Sequence, residues 1–176
     1  MEMSFIFHYE SPLGGMTMAS DGESLTGLWF DGQKHFGSTL GACPAEARLP
    51  VFILTARWLD IYFGGQDPGF TPPLKLRASP FRKAVWEILL TIPYGSTMTY
   101  GGIARRLSEQ GLAAPSSARA AGSAVGHNPV SLIIPCHRVV GADGRLAGYA
   151  GGADRKARLL QLEGIRLQSS SGSPEP

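Results

Sequence analysis

The sequence is poor in the residues that hold small secreted domains and metal sites together. It has two cysteines, Cys43 and Cys136, and four histidines among 176 residues. Two cysteines give little basis for a disulfide framework, and His8 and His35 do not stand at a spacing typical of zinc ligands. We therefore expect two free thiols and no metal site.

Long apolar runs are absent as well. No stretch reaches the roughly 18 apolar residues that a membrane-spanning helix needs, and residues 1–5 lack the basic start of a secretory signal peptide. We expect a cytoplasmic chain without a membrane segment. Hydrophobic residues nevertheless form 43% of the sequence, with three Trp, eight Phe and five Tyr. That supply is sufficient for a packed core and excludes a chain that is disordered throughout.

The net charge of +2 hides an uneven distribution. Residues 1–78 hold five basic and eight acidic side chains, a net charge of −3, whereas residues 79–176 hold eleven basic and six acidic ones, a net charge of +5. A basic half beside an acidic half favours contact with a polyanion such as nucleic acid. A soluble domain can also be basic by chance, so the charge alone leaves both interpretations open.

The first half predicts a small sheet followed by a helix. Predicted strands, with an Asp-Gly hairpin turn between the second and the third, cover residues 4–9, 16–20 and 25–30. A helix is predicted from Pro50 to Phe63, before two glycines. Its inward positions at helical spacing are Phe52, Ile53, Ala56, Leu59 and Phe63. Residues 31–49 show no pattern that assigns them.

A proline-rich segment over residues 66–79 suits neither regular element, and the charge changes sign there. We interpret it as the linker between two domains. Ser79 is a suitable N-cap and Pro80 a suitable first residue for the helix that follows. The apolar stripe of this helix consists of Phe81, Val85, Ile88, Leu89 and Ile92.

Two more short helices are predicted next. The first covers residues 100–107, and the second is capped by Ser116 or Ser117 and continues to Val125. Two short helices joined by a turn are typical of a helix-turn-helix. An ordinary helical hairpin fits the same pattern.

The last part predicts a hairpin and a helix. Residues 131–140 read as a strand interrupted by Pro135, Asp143-Gly144 as the turn, and residues 145–149 as the return strand. A final helix is predicted over residues 154–163, with Gly164 at its end. The Ser-rich residues 169–176 predict a disordered tail.

Cys136 is the residue with the clearest chemical potential. It is followed directly by His137 and Arg138, and a neighbouring base and positive charge help to form the reactive thiolate. Cysteine also serves often as a simple core residue, and adjacent strand residues point to opposite faces. The spacing alone therefore leaves a catalytic and a structural Cys136 both open.

Residues 126–140, which read GHNPVSLIIPCHRVV, strongly resemble the active-site segment of the O6-alkylguanine-DNA alkyltransferases. The likeness extends to GYAGG at 148–152 and LEG at 162–164, and it covers about residues 79–166 closely. The N-terminal half matches only loosely, through SPLG at 11–14 and LTGL at 25–28.

The resemblance implies roles for particular residues. Cys136 would accept the alkyl group, His137 would take its proton through a water, and Glu163 would orient His137. Asn128 would tie the helix-turn-helix to the active-site segment. The residues that would contact the flipped base, the gap that it leaves or the minor groove are Tyr100, Arg119, Tyr149, Ala118, Ala120, Gly122 and Ser123. Ala150 stands where some relatives have Ser, so a backbone N–H would replace that hydroxyl.

The resemblance also implies an architecture and a partner. The fold would be α/β, with a ribonuclease-H-like α/β domain over residues 1–65 and a winged-helix-like helix-turn-helix domain over residues 80–168. The partner would be double-stranded DNA containing O6-alkylguanine, bound by a monomer, with cooperative binding as a further option. No cofactor would be needed. A lesion sensor without chemistry and a cysteine hydrolase are the alternatives, and the number of alkyl groups taken per chain separates the three.

Overall fold

The computed structural model describes residues 3–112, 117–146 and 148–167. Within these ranges the chain forms six short strands and five helices, so the predicted mixed α/β class is confirmed. None of the described helices is long and apolar enough to cross a membrane. The predicted capping by Ser116 and the tail over residues 169–176 lie outside the described residues.

The N-terminal sheet has the order β3-β2-β1-β4. Strands β1 (Phe5–Ser11), β2 (Gly14–Ser20) and β3 (Leu25–Phe30) pair antiparallel, which confirms the three predicted strands. The short β4 (Ala45–Glu46) pairs parallel with β1 and lies in the part that the sequence left unassigned. Only two residues long, it is too short for a period to reveal it.

Helix α1 (Pro50–Phe63) has the predicted bounds but turns a different face inward. Its buried residues are Val51, Phe52, Thr55, Trp58, Leu59 and Tyr62. The predicted inward residue Ile53 is 52% exposed. Almost every position of this helix is apolar or aromatic, so hydrophobic spacing alone does not select the buried face. The observed face brings Tyr62 into the core.

Three helices follow the 66–79 segment: α2 (Pro80–Leu90), α3 (Tyr100–Glu109) and α4 (Ser117–Gly126). The N-cap at Ser79 is confirmed, because its side chain accepts a hydrogen bond from the backbone N–H of Arg82. The side chain of Thr99 caps α3 in the same way. Helices α3 and α4 pack against each other and against α2. The winged-helix and ribonuclease-H-like descriptions stay predictions.

The predicted hairpin over residues 131–149 is wrong. Residues 131–134 form tight turns, with Leu132 at a φ of 71°, and Cys136–Arg138 form one turn of 3-10 helix. Strand β6 (Val139–Val140) then pairs parallel with β5 (Met98–Thr99), not with residues after the Asp143-Gly144 turn. Apolar runs do not distinguish a buried turn from a buried strand, and Pro135 removes a donor that a strand needs. Of the predicted return strand, Ala147 lies outside the described residues and the others form no strand.

The two halves of the chain share one continuous hydrophobic core. Leu28 of β3 bridges to Val130, and Ser131 donates its backbone N–H to the carbonyl of Leu28 at 2.8 Å. Leu25 similarly bridges to Leu74. The last helix, α5 (Ala153–Leu162), packs against the 3-10 turn. The segment that carries Cys136 is thus held between the sheet and α5.

Candidate active site

Cys136 sits at a sharply bent point of the backbone. Pro135 has φ −81° and ψ 63°, the geometry of an inverse γ-turn, and the N–H of Cys136 donates to the carbonyl of Ile134 at 2.8 Å. The cysteine is 5% exposed. Both cysteines are free thiols, as predicted, with Cys43 exposed and Cys136 buried.

Glu163 gathers four donors around its buried carboxylate. Its Oε2 lies 2.5 Å from Nε2 of His137 and 2.7 Å from the hydroxyl of Tyr62. Its Oε1 accepts from Nε of Arg138 at 2.7 Å and from the backbone N–H of Gly95 at 3.0 Å. Gly95 has a φ of 79°, a conformation that favours glycine, so the turn before α3 presents this N–H at low cost.

These contacts determine the protonation states of Glu163 and His137. Burial raises the pKa of Glu163, but the hydrogen bond and charge of His137, with Gly95 and Arg138, outweigh it and hold the pKa at about 2. Burial lowers the pKa of His137 further than Glu163 raises it, so the imidazole is neutral near neutral pH. An ionised carboxylate only accepts, so Nε2 carries the proton. Nδ1 is the basic nitrogen, and it makes no hydrogen bond within the described residues.

Asn128 connects the end of α4 to the cysteine segment. Its Nδ2 donates to the carbonyl of Ile134 at 2.8 Å, and its Oδ1 accepts from the N–H of Val130 at 2.9 Å. Burial raises the pKa of the Cys136 thiol, while a hydrogen bond from Asn128 and the charge of Lys156 oppose that rise. Cys136 is therefore a neutral thiol in the free protein, and Asn128 and Lys156 are placed to stabilise its thiolate.

Two tyrosines are sensitive to the charge of Cys136. The pKa of Tyr149 and the pKa of Tyr100 are both raised, first by burial and then by the charge of Cys136. The Tyr149 hydroxyl is buried without a hydrogen-bond partner in the described part of the chain. Gly148 has a φ of 79°, and a Cβ there would lie 2.8 Å from the Tyr100 hydroxyl. A glycine is thus required beside Tyr100.

The predicted groove-binding residues occupy α4. Ala118, Arg119 and Ser123 are exposed, whereas Ala120 and Gly122 are partly exposed. A Cβ on Gly122 would lie 3.7 Å from the ring of Tyr100, so the helix passes directly beside that ring. The structure ties Asn128 to the segment just before Cys136, pairs His137 with Glu163 directly after it, and places the ring of Tyr149 6.5 Å from that of His137.

Sequence reasoning missed two residues of this site. Lys156 is fully buried on α5, and burial lowers its pKa to about 8, while the charge of Cys136 acts in the opposite direction. A lysine on the same helical stripe as Leu159, Leu160 and Glu163 was a signal that could have found it. Tyr62 gave no signal, because an aromatic residue on an apolar helix face is usually plain core.

A buried cysteine beside a histidine–glutamate pair defines a thiol-chemistry site, and the comparisons with known proteins say which kind. Residues 80–165 match the family model described as "6-O-methylguanine DNA methyltransferase, DNA binding domain". A methylated-DNA–protein-cysteine methyltransferase of Mycobacterium tuberculosis is 43% identical over 164 residues, covering 92% of this chain and 94% of the relative. The Haemophilus influenzae relative of the same name is 39% identical over 166 residues, covering 94% and 89%.

Solved structures of the same family also match this chain. The crystal structure of Mycobacterium tuberculosis OGT in complex with DNA matches with a TM-score of 0.76 at 41% identity, covering 89% of this chain and 90% of that one. The chain belongs to the methylated-DNA–protein-cysteine methyltransferase family.

Proposed function

We propose that this protein repairs double-stranded DNA by transferring the alkyl group of O6-alkylguanine to its own Cys136. The observation that carries the proposal is the geometry around Cys136: a buried thiol, a neutral imidazole with a free basic nitrogen, and an ionised Glu163 behind it. Family membership supports the same chemistry, and DNA is the ligand in the solved complex of the mycobacterial relative.

The transfer proceeds by general base and nucleophilic catalysis. Nδ1 of His137 takes the thiol proton, directly or through a water, and Glu163 stabilises the imidazolium that results. The sulfur forms a bond to the alkyl carbon while the bond from that carbon to O6 breaks. The electron pair stays on guanine, where the hydroxyl of Tyr100 donates to the developing charge. The product is a thioether, which no group at the site can hydrolyse, so each chain acts once.

The target base has to leave the stack to reach a buried thiol, at a cost of a few kcal/mol. We infer that α4 enters the minor groove, because the small side chains of Ala118, Ala120, Gly122 and Ser123 let its backbone approach closely. Exposed Arg119 would fill the gap left by the flipped guanine. The minor groove carries little sequence information, which suits damage at any sequence. Monomeric state and cooperativity on DNA stay predictions.

Intact mass spectrometry with an oligonucleotide duplex containing O6-methylguanine tests the proposal. We expect one mass increase of about 14 Da, a methyl group in place of a hydrogen, mapped to Cys136. Cys136→Ser should show none, and Cys43→Ser, which removes the exposed thiol, should behave as the unaltered protein.

Two other outcomes would replace the proposal. Binding of the duplex without any mass increase would indicate a lesion sensor. Release of product over many cycles from an unmodified protein would indicate a cysteine hydrolase.

A further inference from the structure

Tyr62 reaches the catalytic pair from the other half of the chain. It lies near the end of α1 and is fully buried. Its hydroxyl donates to Oε2 of Glu163 at 2.7 Å and lies 3.2 Å from Nε2 of His137. Both partners of this hydroxyl belong to the pair on which the proposed proton transfer depends.

The proton positions around the hydroxyl follow from its contacts. Glu163 is ionised and accepts only, so Tyr62 gives its single proton to Oε2. Burial, and after it the charge of Glu163, raises the pKa of Tyr62 well above its usual value, so the phenol keeps this proton. Its oxygen then faces the Nε2–H of His137 as a second and longer acceptor at 3.2 Å, beside Oε2 of Glu163 at 2.5 Å. The hydroxyl therefore favours the tautomer that leaves Nδ1 basic.

We propose that Tyr62 is a positioning residue of the alkyl-transfer site, which shares the carboxylate of Glu163 with His137 and thereby keeps the imidazole neutral and in its Nε2–H tautomer. The inference rests on the proposed function for its purpose, but its geometry stands without it. The Tyr62 hydroxyl draws charge from Oε2 through the shorter of its two contacts. A carboxylate without this donor would bind the imidazolium more strongly.

Other groups around His137 also influence whether its imidazole is protonated. Those that act on its ring, from the 3-10 turn, α5 and the loops beside it, are Arg138, Tyr149, Lys156 and Glu163. Arg138 and Lys156 disfavour the imidazolium, whereas Glu163 favours it. Tyr62 weakens the one interaction that favours protonation.

Packing alone would not require the hydroxyl. The ring of Tyr62 stacks on Trp58 at 5.3 Å and meets Phe63 and Tyr94 edge-on at 5.5 and 6.1 Å. Phenylalanine would keep all three ring contacts. Tyr62→Phe therefore removes the hydrogen bonds and leaves the packing, which makes it a sharp test.

The test follows His137 directly by NMR of histidine labelled with nitrogen-15, in the full-length chain. In Tyr62→Phe we expect the titration midpoint of His137 to rise by about half to one pH unit. The matched control is Tyr9→Phe, which removes another tyrosine–carboxylate hydrogen bond, to Asp60 on the same helix at 2.6 Å. The control should leave the midpoint unchanged.

Rates of methyl transfer to Cys136 give a second reading. Because a protonated imidazole cannot take the thiol proton, Tyr62→Phe should be about threefold to tenfold slower on the acid side of the pH profile. On the alkaline plateau it should approach the unaltered protein. Equal slowing at every pH with an unmoved midpoint would mean a purely structural Tyr62 and overturn the inference.

A tyrosine analogue covers the case in which Tyr62→Phe fails to fold. Incorporation of 3-fluorotyrosine at position 62 keeps the hydroxyl and makes it a stronger donor, so the midpoint of His137 should fall. A midpoint that stays or rises would overturn the inference. The NMR measurement requires no transfer, so absence of a thioether in the unaltered protein would refute the proposed function while the role of Tyr62 is still decided.

Discussion

Glu163 binds His137 and Arg138 at once, one through each carboxylate oxygen, at 2.5 and 2.7 Å. Arg138 is a permanent cation that also donates Nη1 to the carbonyl of Ile92 at 2.7 Å. The single negative charge of Glu163 is therefore already balanced by Arg138 while His137 is neutral. The neutral imidazole is therefore available to accept the thiol proton during the reaction.

Glu163→Gln tests this arrangement. The amide cannot stabilise the imidazolium and leaves Arg138 buried without a counter-charge. We expect transfer to slow by about a hundredfold or more and the free energy of unfolding to fall by about 3–5 kcal/mol. Single-turnover kinetics and chemical denaturation measure the two effects. Glu87→Gln, an exposed position on α2, is the control and should change neither. Full activity in Glu163→Gln would contradict the assigned role.

Acid should destabilise the protein through the same carboxylate. The pKa of Glu163 is about 2 in the folded chain, below its ordinary value of 4.5. Its contribution is therefore complete above pH 4.5 and is lost as the pH falls toward 2. The stability difference between the unaltered protein and Glu163→Gln should shrink over that window in denaturation curves. A constant difference would show that Glu163 is not ionised in the fold.

Lys156→Met should lower the reactivity of Cys136. Removing the buried ammonium takes a positive charge away from Cys136, so the pKa of the thiol should rise and iodoacetamide should modify Cys136 about tenfold more slowly near neutral pH. Lys83→Met on the exposed side of α2 is the matched control. An unchanged pH profile of thiol modification would remove Lys156 from the site.

Arg119→Ala should separate base flipping from chemistry. The side chain is exposed, so we expect the free energy of unfolding to stay within about 0.5 kcal/mol. Transfer from duplex DNA should slow about tenfold or more, while transfer from the free base O6-benzylguanine should keep its rate. The exposed Arg158 on α5 offers the control Arg158→Ala. Equal slowing with both substrates would place Arg119 in the chemical step instead.

Local signals predicted the regular elements well. The N-cap at Ser79 and the glycine after α5 each act within a few residues, and both are confirmed. The prediction for the backbone around Cys136 was wrong because pairing with distant residues determines its conformation. Leu28 pairs with the segment before Cys136, and Met98 pairs with the segment after it. No window of neighbouring residues contains those partners.

The residues of the site likewise fall into those that the sequence predicted and those that it did not. Cys136, His137 and Glu163 were predicted through a resemblance of sequence motifs, and the structure pairs Glu163 with His137, the residue that follows Cys136. Tyr62 lies 101 residues from Glu163 along the chain, a distance at which spacing carries no information. Lys156 was within reach, since a charged residue on a buried stripe contradicts the pattern around it.

The contact between Tyr62 and Glu163 also bears on the order in which the protein is made. Synthesis proceeds from the N-terminus, so the sheet and α1 emerge first, the thiol later, and the carboxylate last. Until Glu163 arrives, His137 has no anion behind it and Tyr62 has no acceptor. The histidine–carboxylate pair beside the thiol can therefore be completed only after the last helix has been synthesised.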